Sequence, residues 1–336
     1  MAKRRKRRTR RKKYPIRITP SQGLVFLLTA FCMIIGLRLG LGGQSGEGGF
    51  TWRDFYDRLQ VNTLPQGLEE VPADGQAVHF IDVGQADATL LQSGQEYCLV
   101  DAGEASSEEA LLSYLDAMGI IRLKLLVMTH PHADHIGSMQ AVLEHVQVEQ
   151  VLLPDFDKAP YPTTRTFERV MDTIEQQNIP TVTAEPGQEF TIGEATLSVL
   201  ANGVETDNYN NLSQVLFFRA PGLRVMLTGD GETEVEEDAL AHCELPQADV
   251  FKAAHHGSNT SNTLSFLQAI RPQYVVVSCG KDNSYGHPHD EAMQNFAMVG
   301  AQVLRTDEDG SVVIAATEDG LQCYTASGGL QADSAA

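Results

Sequence analysis

Between residues 130 and 135 the chain reads His-Pro-His-Ala-Asp-His, three imidazoles and a carboxylate within six positions. Crowded imidazoles repel one another when protonated, so a run this dense has no reason to form on an ordinary surface. As neutral donors beside a carboxylate, the same groups suit zinc or manganese. The apolar run KLLVMT (124–129) precedes the cluster and predicts a strand. A turn at the end of that strand lets His130 and His132 face one ion while Asp134 and His135 face another. Asp230 follows a second such run, RVMLTG (224–229), and His255 and His256 follow a third, VFKAA (250–254). Strand ends fix ligands on a rigid scaffold and leave them open to substrate.

Holding these groups together requires a large scaffold, and the sequence supplies one. Thirteen short strand-like runs extend from AVHFIDVG (77–84) to SVVIAAT (311–317). Helical periodicity intervenes at 107–118, 139–145, 166–177, 232–243, 263–270 and 290–299. Hairpins occur as well as crossovers, which predicts two sheets packed together under flanking helices rather than one doubly wound sheet.

The 336 residues are 42% apolar, with five Cys and one Trp, which excludes disordered, collagen-like and disulfide-framework classes. The net charge of −19 conceals an asymmetry: eleven basic residues and no acid occupy the first twenty positions. Residues 41–336 carry 13 basic residues against 44 acidic ones, a net −31. The apolar stretch 23–41 follows the basic stub and is long enough to cross a bilayer of roughly 30 Å if Arg38 snorkels to the far interface. The expected organisation is a basic cytoplasmic segment (1–22), a single transmembrane anchor (23–41), a linker (42–76), a folded body (77–324) and a disordered tail (325–336). The basic stub keeps the N-terminus cytoplasmic and the body extracellular. The alternative is a signal peptide, cleaved to release a secreted body, although no A-x-A site follows the run. Cys98, Cys243, Cys279 and Cys323 form no C-x-x-C pair, and Cys98 and Cys279 are expected as buried thiols in strands.

The H-x-H-x-D-H run after an apolar strand resembles the metallo-β-lactamase fold. The likeness narrows with FIDVGQADATLL (80–91), VDAG (100–103), THPHADHIG (129–137), LTGD (227–230), HHGSNTS (255–261) and YGHPH (285–289). In that order these segments resemble the extracellular hydrolase domain of ComEC-type competence proteins and their free-standing relatives. The resemblance covers residues 77 to about 320 and implies an α/β fold, a four-layer αββα sandwich, behind the N-terminal transmembrane helix. The multi-span channel portion of such proteins has no counterpart in this sequence, so DNA transport by this chain alone is not expected.

The resemblance also implies roles. Asp230 would be the carboxylate that bridges two ions, and one of His255 and His256 would complete the second ion's shell. Neighbours on a strand point to opposite faces, so only one can coordinate unless the strand has already ended; His256 is favoured, leaving His255 to meet substrate or a carboxylate. Many family members place a third His for the first ion where this chain reads DNYNNLS (207–213). Asn210 and Asn211 are therefore site candidates, with an Asx-type turn as the alternative. An amide oxygen is a weaker ligand than imidazole, so this position would be looser and tolerant of manganese. Asp82, Gln85, Asp87 and Asp101, near the ends of the first strands, are expected to orient ligating imidazoles through their second nitrogens, and Ser258 is grouped with them; ordinary hairpin chemistry is the alternative. His287 resembles a position near the substrate, where an imidazole donates a proton or binds phosphate, and joins Asp134 as an expected catalytic residue. His289 belongs at the rim, and His79, His145 and His242 are expected in ordinary core or surface positions.

Two divalent ions, zinc or manganese, about 3.5–4 Å apart would hold a bridging hydroxide against an electrophile. No Ser-His-Asp signature competes, and GQSGEGG (43–49) lacks the Lys of a phosphate-cradling loop. The expected function is membrane-anchored, metal-dependent hydrolysis of a phosphodiester, including DNA, by a phosphodiesterase or nuclease. The acidic body predicts weak duplex binding unless Arg165, Arg169, Lys252 and Lys281 cluster. The alternatives are a small or surface-borne phosphodiester such as a phosphocholine or teichoic group, a β-lactam or lactone, or an inactive surface binding module.

Overall fold

The computed structural model describes Val71 and residues 74–326. The basic segment and the apolar run at 23–41 lie outside the described residues, as does nearly all of the linker. Among the described residues no helix is long and apolar enough to cross a membrane.

Strands form on short runs rich in Val, Leu, Ile and aromatic residues, several of them bounded by glycine-bearing turns. The first sheet contains β1 (Gln76–Phe80), β2 (Thr89–Ser93), β3 (Glu96–Val100), β5 (Leu125–Val127), β7 (Val151–Leu153), β8 (Thr181–Thr183), β16 (Val312–Thr317) and β17 (Gly320–Thr325), in the order β17-β16-β1-β2-β3-β5-β7-β8. The second contains β9 (Glu189–Ile192), β10 (Ala195–Asn202), β11 (Gln214–Ala220), β12 (Leu223–Leu227), β13 (Val250–Lys252), β14 (Tyr274–Val277) and β15 (Gln302–Arg305), in the order β15-β14-β13-β12-β11-β10-β9. A two-residue ladder, β4 (Arg122–Leu123) with β6 (Gln147–Val148), stands apart. Each large sheet has an antiparallel half and a parallel half, the parallel halves being β3-β5-β7-β8 and β12-β13-β14-β15.

Three apolar layers follow from the two-residue strand period. Val78, Phe80, Leu91 and Val100 of the first sheet pack against Leu197, Leu216, Phe218 and Val225 of the second. The outer face of the first sheet, with Leu90, Leu99 and Leu126, is covered by α1 (Glu108–Ala117), α3 (Met139–His145) and α4 (Arg165–Gln177). The outer face of the second, with Phe217, Met226 and Phe251, is covered by α5 (Thr233–His242), α6 (Leu264–Ile270) and α7 (Asp290–Met298). The result is the αββα sandwich. Two single-turn helices, α2 (Ala133–Ile136) and α8 (Thr306–Asp309), are too short for helical periodicity to reveal. Two expected boundaries shift slightly. Gln76, assigned to the linker, is the first residue of β1 and pairs with Ala316, while Thr325, assigned to the tail, ends β17. Cys98, Cys279 and Cys323 are buried free thiols, and Cys243 is a partly buried one.

His79 is fully buried in the first sheet, with Nδ1 2.9 Å from the Tyr114 hydroxyl and Nε2 3.0 Å from Gln92 Oε1. Gln92 presents its oxygen because its amide nitrogen donates to the Gly94 carbonyl, so the imidazole is neutral with its proton on Nε2. Burial lowers its pKa to about 4, against the Gln92 bond that raises it. The unfolded chain takes up this proton near pH 6.5 and the folded chain only near 4, so this group lowers stability as pH falls through that window, by about 3 kcal/mol in full. Urea unfolding of metal-free protein at pH 7 and 4.5 should show a loss that is about 2–3 kcal/mol smaller in His79→Gln than in the natural chain. Equal losses would place the His79 proton elsewhere.

Candidate metal centre

Strands β1, β3, β5, β10, β12, β13 and β14 all direct the segments after their C-terminal ends toward one edge of the sandwich, the usual location of sites in parallel sheets. After β5 the chain runs through Thr129 and His130 into the single turn α2, which carries Asp134 and His135. Gly137 closes this turn against the loop after β3. A side chain there would collide with the backbone of Ala105, and its N–H donates to Gly103 O at 2.8 Å. Asp101 sits left-handed at φ 59° and accepts from Thr129 N (2.9 Å), Thr129 Oγ1 (2.7 Å) and His135 Nδ1 (2.7 Å).

The histidine pair departs from the expected strand geometry. β13 stops at Lys252, and His255 and His256 take consecutive left-handed conformations, φ 48° and 54°, before Gly257 at φ 79°. The reasoning that one of two strand neighbours must face away therefore does not apply, and both imidazoles reach the site. Left-handed backbone at a non-glycine residue costs about 1–2 kcal/mol. The buried Asn262 side chain holds the loop in place, accepting from Ala254 N (2.9 Å) and donating to Ala254 O and Ser258 O (both 3.0 Å). Asn262 was not singled out from the sequence. Its signal is a turn-forming amide directly after HHGSNTS.

These loops converge on one oxygen. Asp230 Oδ2 lies 3.2 Å from His135 Nε2, 3.6 Å from His256 Nε2, 3.9 Å from His255 Nε2 and 4.0 Å from His130 Nε2. Asp134 Oδ2 is 3.4 Å from His256 Nε2, and His130 Nε2 is 3.0 Å from His132 Nδ1. Burial, reinforced by the His135 charge, pushes His130 well below the ordinary imidazole value. Burial also lowers His132, against the pull of Asp134 and Asp230. Burial alone would depress His135 too, but Asp230 and Asp101 raise it well above that value; His256 is raised in the same way by Asp230 and Asp87. Burial likewise works against ionising Asp134 and Asp230, yet neighbouring imidazoles hold both carboxylates below their usual range.

Asp87, His135, Asp230 and His256 each offer a buried ligand atom within 4.8 Å of the others. Asp230 Oδ1 is buried without a hydrogen-bond partner, and His135 Nε2 and His256 Nε2, equally buried, meet carboxylate oxygens at 3.2 and 3.4 Å without well-aligned hydrogen bonds, an arrangement that a divalent cation would satisfy. The donor set fits a metal. Asp87 occupies the back of the cluster. Its Oδ1 is 3.6 Å from His256 Nδ1 and its Oδ2 is 4.0 Å from His135 Nδ1, the nitrogens that face away from Asp230.

The remaining candidates divide. Asn210 Oδ1 is buried without a partner at the cleft, whereas Asn211 Oδ1 accepts from Glu232 N at 2.9 Å and is spent on the loop. Gln85 Oε1 accepts from Gly280 N (3.0 Å), which turns its amide nitrogen toward His287 Nδ1 (3.3 Å) and leaves the His287 proton on Nε2. Burial, then His256, His255 and His289, lowers His287 to about 4, so it is neutral near pH 7. Ser258 Oγ lies 3.0 Å from Thr260 Oγ1 within the histidine loop. Asp82 does not join the site. It is exposed, caps the turn at Gly84 N and has its backbone N–H bonded to Ser311 Oγ. Lys252 does not join a cationic surface either, being 2% exposed with its ammonium 2.7 Å from Asp87 Oδ2. Sequence reasoning passed over Ser213, whose hydroxyl accepts from Asp230 N at 3.1 Å and stands 3.4 Å from His130 Nδ1. His145 and His242 pair with surface carboxylates, Asp116 and Asp238.

Two β-sheets between helical layers, with a buried His/Asp cluster at their common edge, define a metal-dependent hydrolase of the metallo-beta-lactamase superfamily. Residues 81–281 match the family model of that superfamily, and the chain belongs to it. Within it, the chain is related to competence proteins. It is 30% identical over 254 residues to ComE operon protein 3 of Bacillus subtilis (strain 168), a match covering 70% of this chain and 32% of that protein. It is 29% identical over 254 residues to Competence protein ComA of Neisseria gonorrhoeae, covering 73% and 33%. Recombination protein 2 of Haemophilus influenzae is 27% identical over 255 residues, covering 74% and 30%. Each match thus spans about a third of the relative's length.

Proposed function

We propose that this chain is a metal-dependent phosphodiesterase of the nuclease type, held at the outer face of the cell membrane through residues 23–41. The observation that carries the reading is the hub at Asp230 Oδ2, within 4.0 Å of four imidazole nitrogens at the floor of an open cleft of about 330 Å³. His130, His132 and Asn210 would hold one ion and Asp134, His135 and His256 a second, with Asp230 within reach of both sets. Bound zinc or manganese would supply Lewis acidity and lower the pKa of water. The chain's own groups do the positioning: the Asp101 carboxylate and the Ser278 backbone carbonyl, 2.9 Å from His256 Nδ1, aim the His135 and His256 rings. His287, at the cleft wall, holds its proton on Nε2 as a neutral donor to a phosphoryl oxygen. The relation to competence proteins favours DNA as the phosphodiester.

A small phosphodiester is the second reading, favoured by a cleft lining without Lys or Arg. The test uses the full chain with Mn(II) or Zn(II) on bis-p-nitrophenyl phosphate, single-stranded DNA and nitrocefin. Turnover of the two phosphodiesters is expected, and turnover of nitrocefin alone would overturn the reading. Cation binding without turnover of any substrate would instead indicate a binding module. Protease added to intact cells should digest the folded body, and full protection would refute its outward placement.

A further inference from the structure

The cleft of an enzyme that cleaves a polyanion ordinarily carries cations, and among the described residues no Lys or Arg lines this one. Lys252 is consumed by Asp87, Lys158 by the carbonyls of Asn202 and Gly203, and Arg305 by Asp307 and Glu308. The wall offers an aromatic ring instead. Tyr285 is 67% exposed and lines the cleft. Its ring stacks on His287, with centroids 5.6 Å apart and planes 22° apart, and the residue's high exposure leaves most of the remaining ring surface to solvent.

The ring stands on a braced loop. Asn283 accepts from His287 N (3.0 Å) and donates to His287 O (2.7 Å) and Gly280 O (2.9 Å). His289 Nδ1 accepts from Asn259 N at 3.0 Å, so its other nitrogen donates to the Tyr285 carbonyl at 3.2 Å. Tyr285 is therefore tied at its backbone to the histidine loop, and its ring is tied to the imidazole proposed to meet the phosphoryl group. An exposed phenol ring stacked on an imidazole beside the candidate metal centre has the chemistry of a base-stacking platform.

We propose that Tyr285 stacks a nucleobase adjoining the scissile phosphodiester, selecting unpaired, base-bearing strands over base-free phosphodiesters. This rests on the phosphodiesterase reading and adds a recognition element to it. Stacking is worth about 1–3 kcal/mol per base and does not depend on net charge, so it reconciles an acidic body with a nucleic-acid substrate. Duplex DNA keeps its bases paired and gains nothing from the ring.

Full chain loaded with Mn(II) is assayed on an eight-nucleotide oligothymidylate and on an abasic eight-mer of the same backbone, as the natural chain, Tyr285→Phe and Tyr285→Ala. Expected for Tyr285→Ala is a fall in kcat/KM on oligothymidylate that exceeds its fall on the abasic strand by about ten- to a hundredfold, with Tyr285→Phe close to the natural chain on both. Equal rates of the natural chain on the two strands, or an equal loss on both in Tyr285→Ala, would overturn the proposal. A phosphorothioate oligomer carrying 2-aminopurine gives a readout independent of cleavage. Quenching by the natural chain but not by Tyr285→Ala supports the platform even if neither strand is hydrolysed, an outcome that would remove the phosphodiesterase reading alone. Absence of quenching by the natural chain removes the platform.

Discussion

Asp230→Ala should lose at least about a thousandfold in phosphodiester turnover, roughly 4 kcal/mol of transition-state stabilisation, together with its divalent cations. The carboxylate is buried, and its Oδ2 is the point nearest to four imidazole nitrogens, so no other group can take its place between them. Without it the raised pKa of His135 falls, because Asp230 is the largest source of that rise. The His135 ring keeps its Asp101 bond but faces an empty centre. The fold should survive, since the Asp230 backbone is held by Ser213 Oγ whatever its side chain. Asp134→Ala should behave in the same direction, because that carboxylate faces His256 from the cleft side. Metal analysis, far-UV circular dichroism and turnover on bis-p-nitrophenyl phosphate check the set. A folded Asp230→Ala protein with near-natural turnover would refute the shared-carboxylate assignment.

Most strands that could be read from the sequence are largely buried, although β9 and β15 were read despite exposed positions. All thirteen anticipated runs contain a strand, and α3 falls on the residues its periodicity marks. β8 escaped notice because Thr181 and Thr183 are exposed and Val182 only partly buried, which leaves no apolar contrast. β17 has three exposed or half-exposed residues before its buried end. The dense histidine run was legible because composition alone makes it improbable as structure. The conformation of the second pair was not. Strand alternation describes extended backbone, and His255 and His256 are left-handed, a state set by Asn262 from beyond the motif. Asn210 and Asn211 were indistinguishable as letters and differ only in which amide oxygen a loop N–H has already taken. Asp82 and Asp87 shared one loop in the sequence, but the turn at Gly84, with φ 76°, sends the first to solvent and the second into the cluster.

Lys252 shows what charge counting misses, and it carries the largest expected effect on stability. Read as a letter, it is one of few cations available for DNA. In the fold its ammonium donates to Ala253 O at 2.8 Å and pairs with Asp87 Oδ2 at 2.7 Å, with both residues buried behind His135 and His256. Removing one partner of such a pair strands the other, at a cost of about 3–5 kcal/mol. Lys252→Met should therefore lower the urea stability of metal-free protein by that amount, whereas Lys252→Met/Asp87→Asn, which leaves no buried charge, should recover most of it. The single variant has a second signature. An uncompensated carboxylate behind the imidazoles adds negative charge to the cluster, so cation should raise the melting temperature of Lys252→Met more than that of the natural chain. A loss below about 1 kcal/mol, or an equal metal-induced shift in both proteins, would mean that water already screens the pair. The lysine then acts as an internal counter-ion: it allows three carboxylates, Asp87, Asp101 and Asp230, to be buried around two imidazoles before any metal arrives.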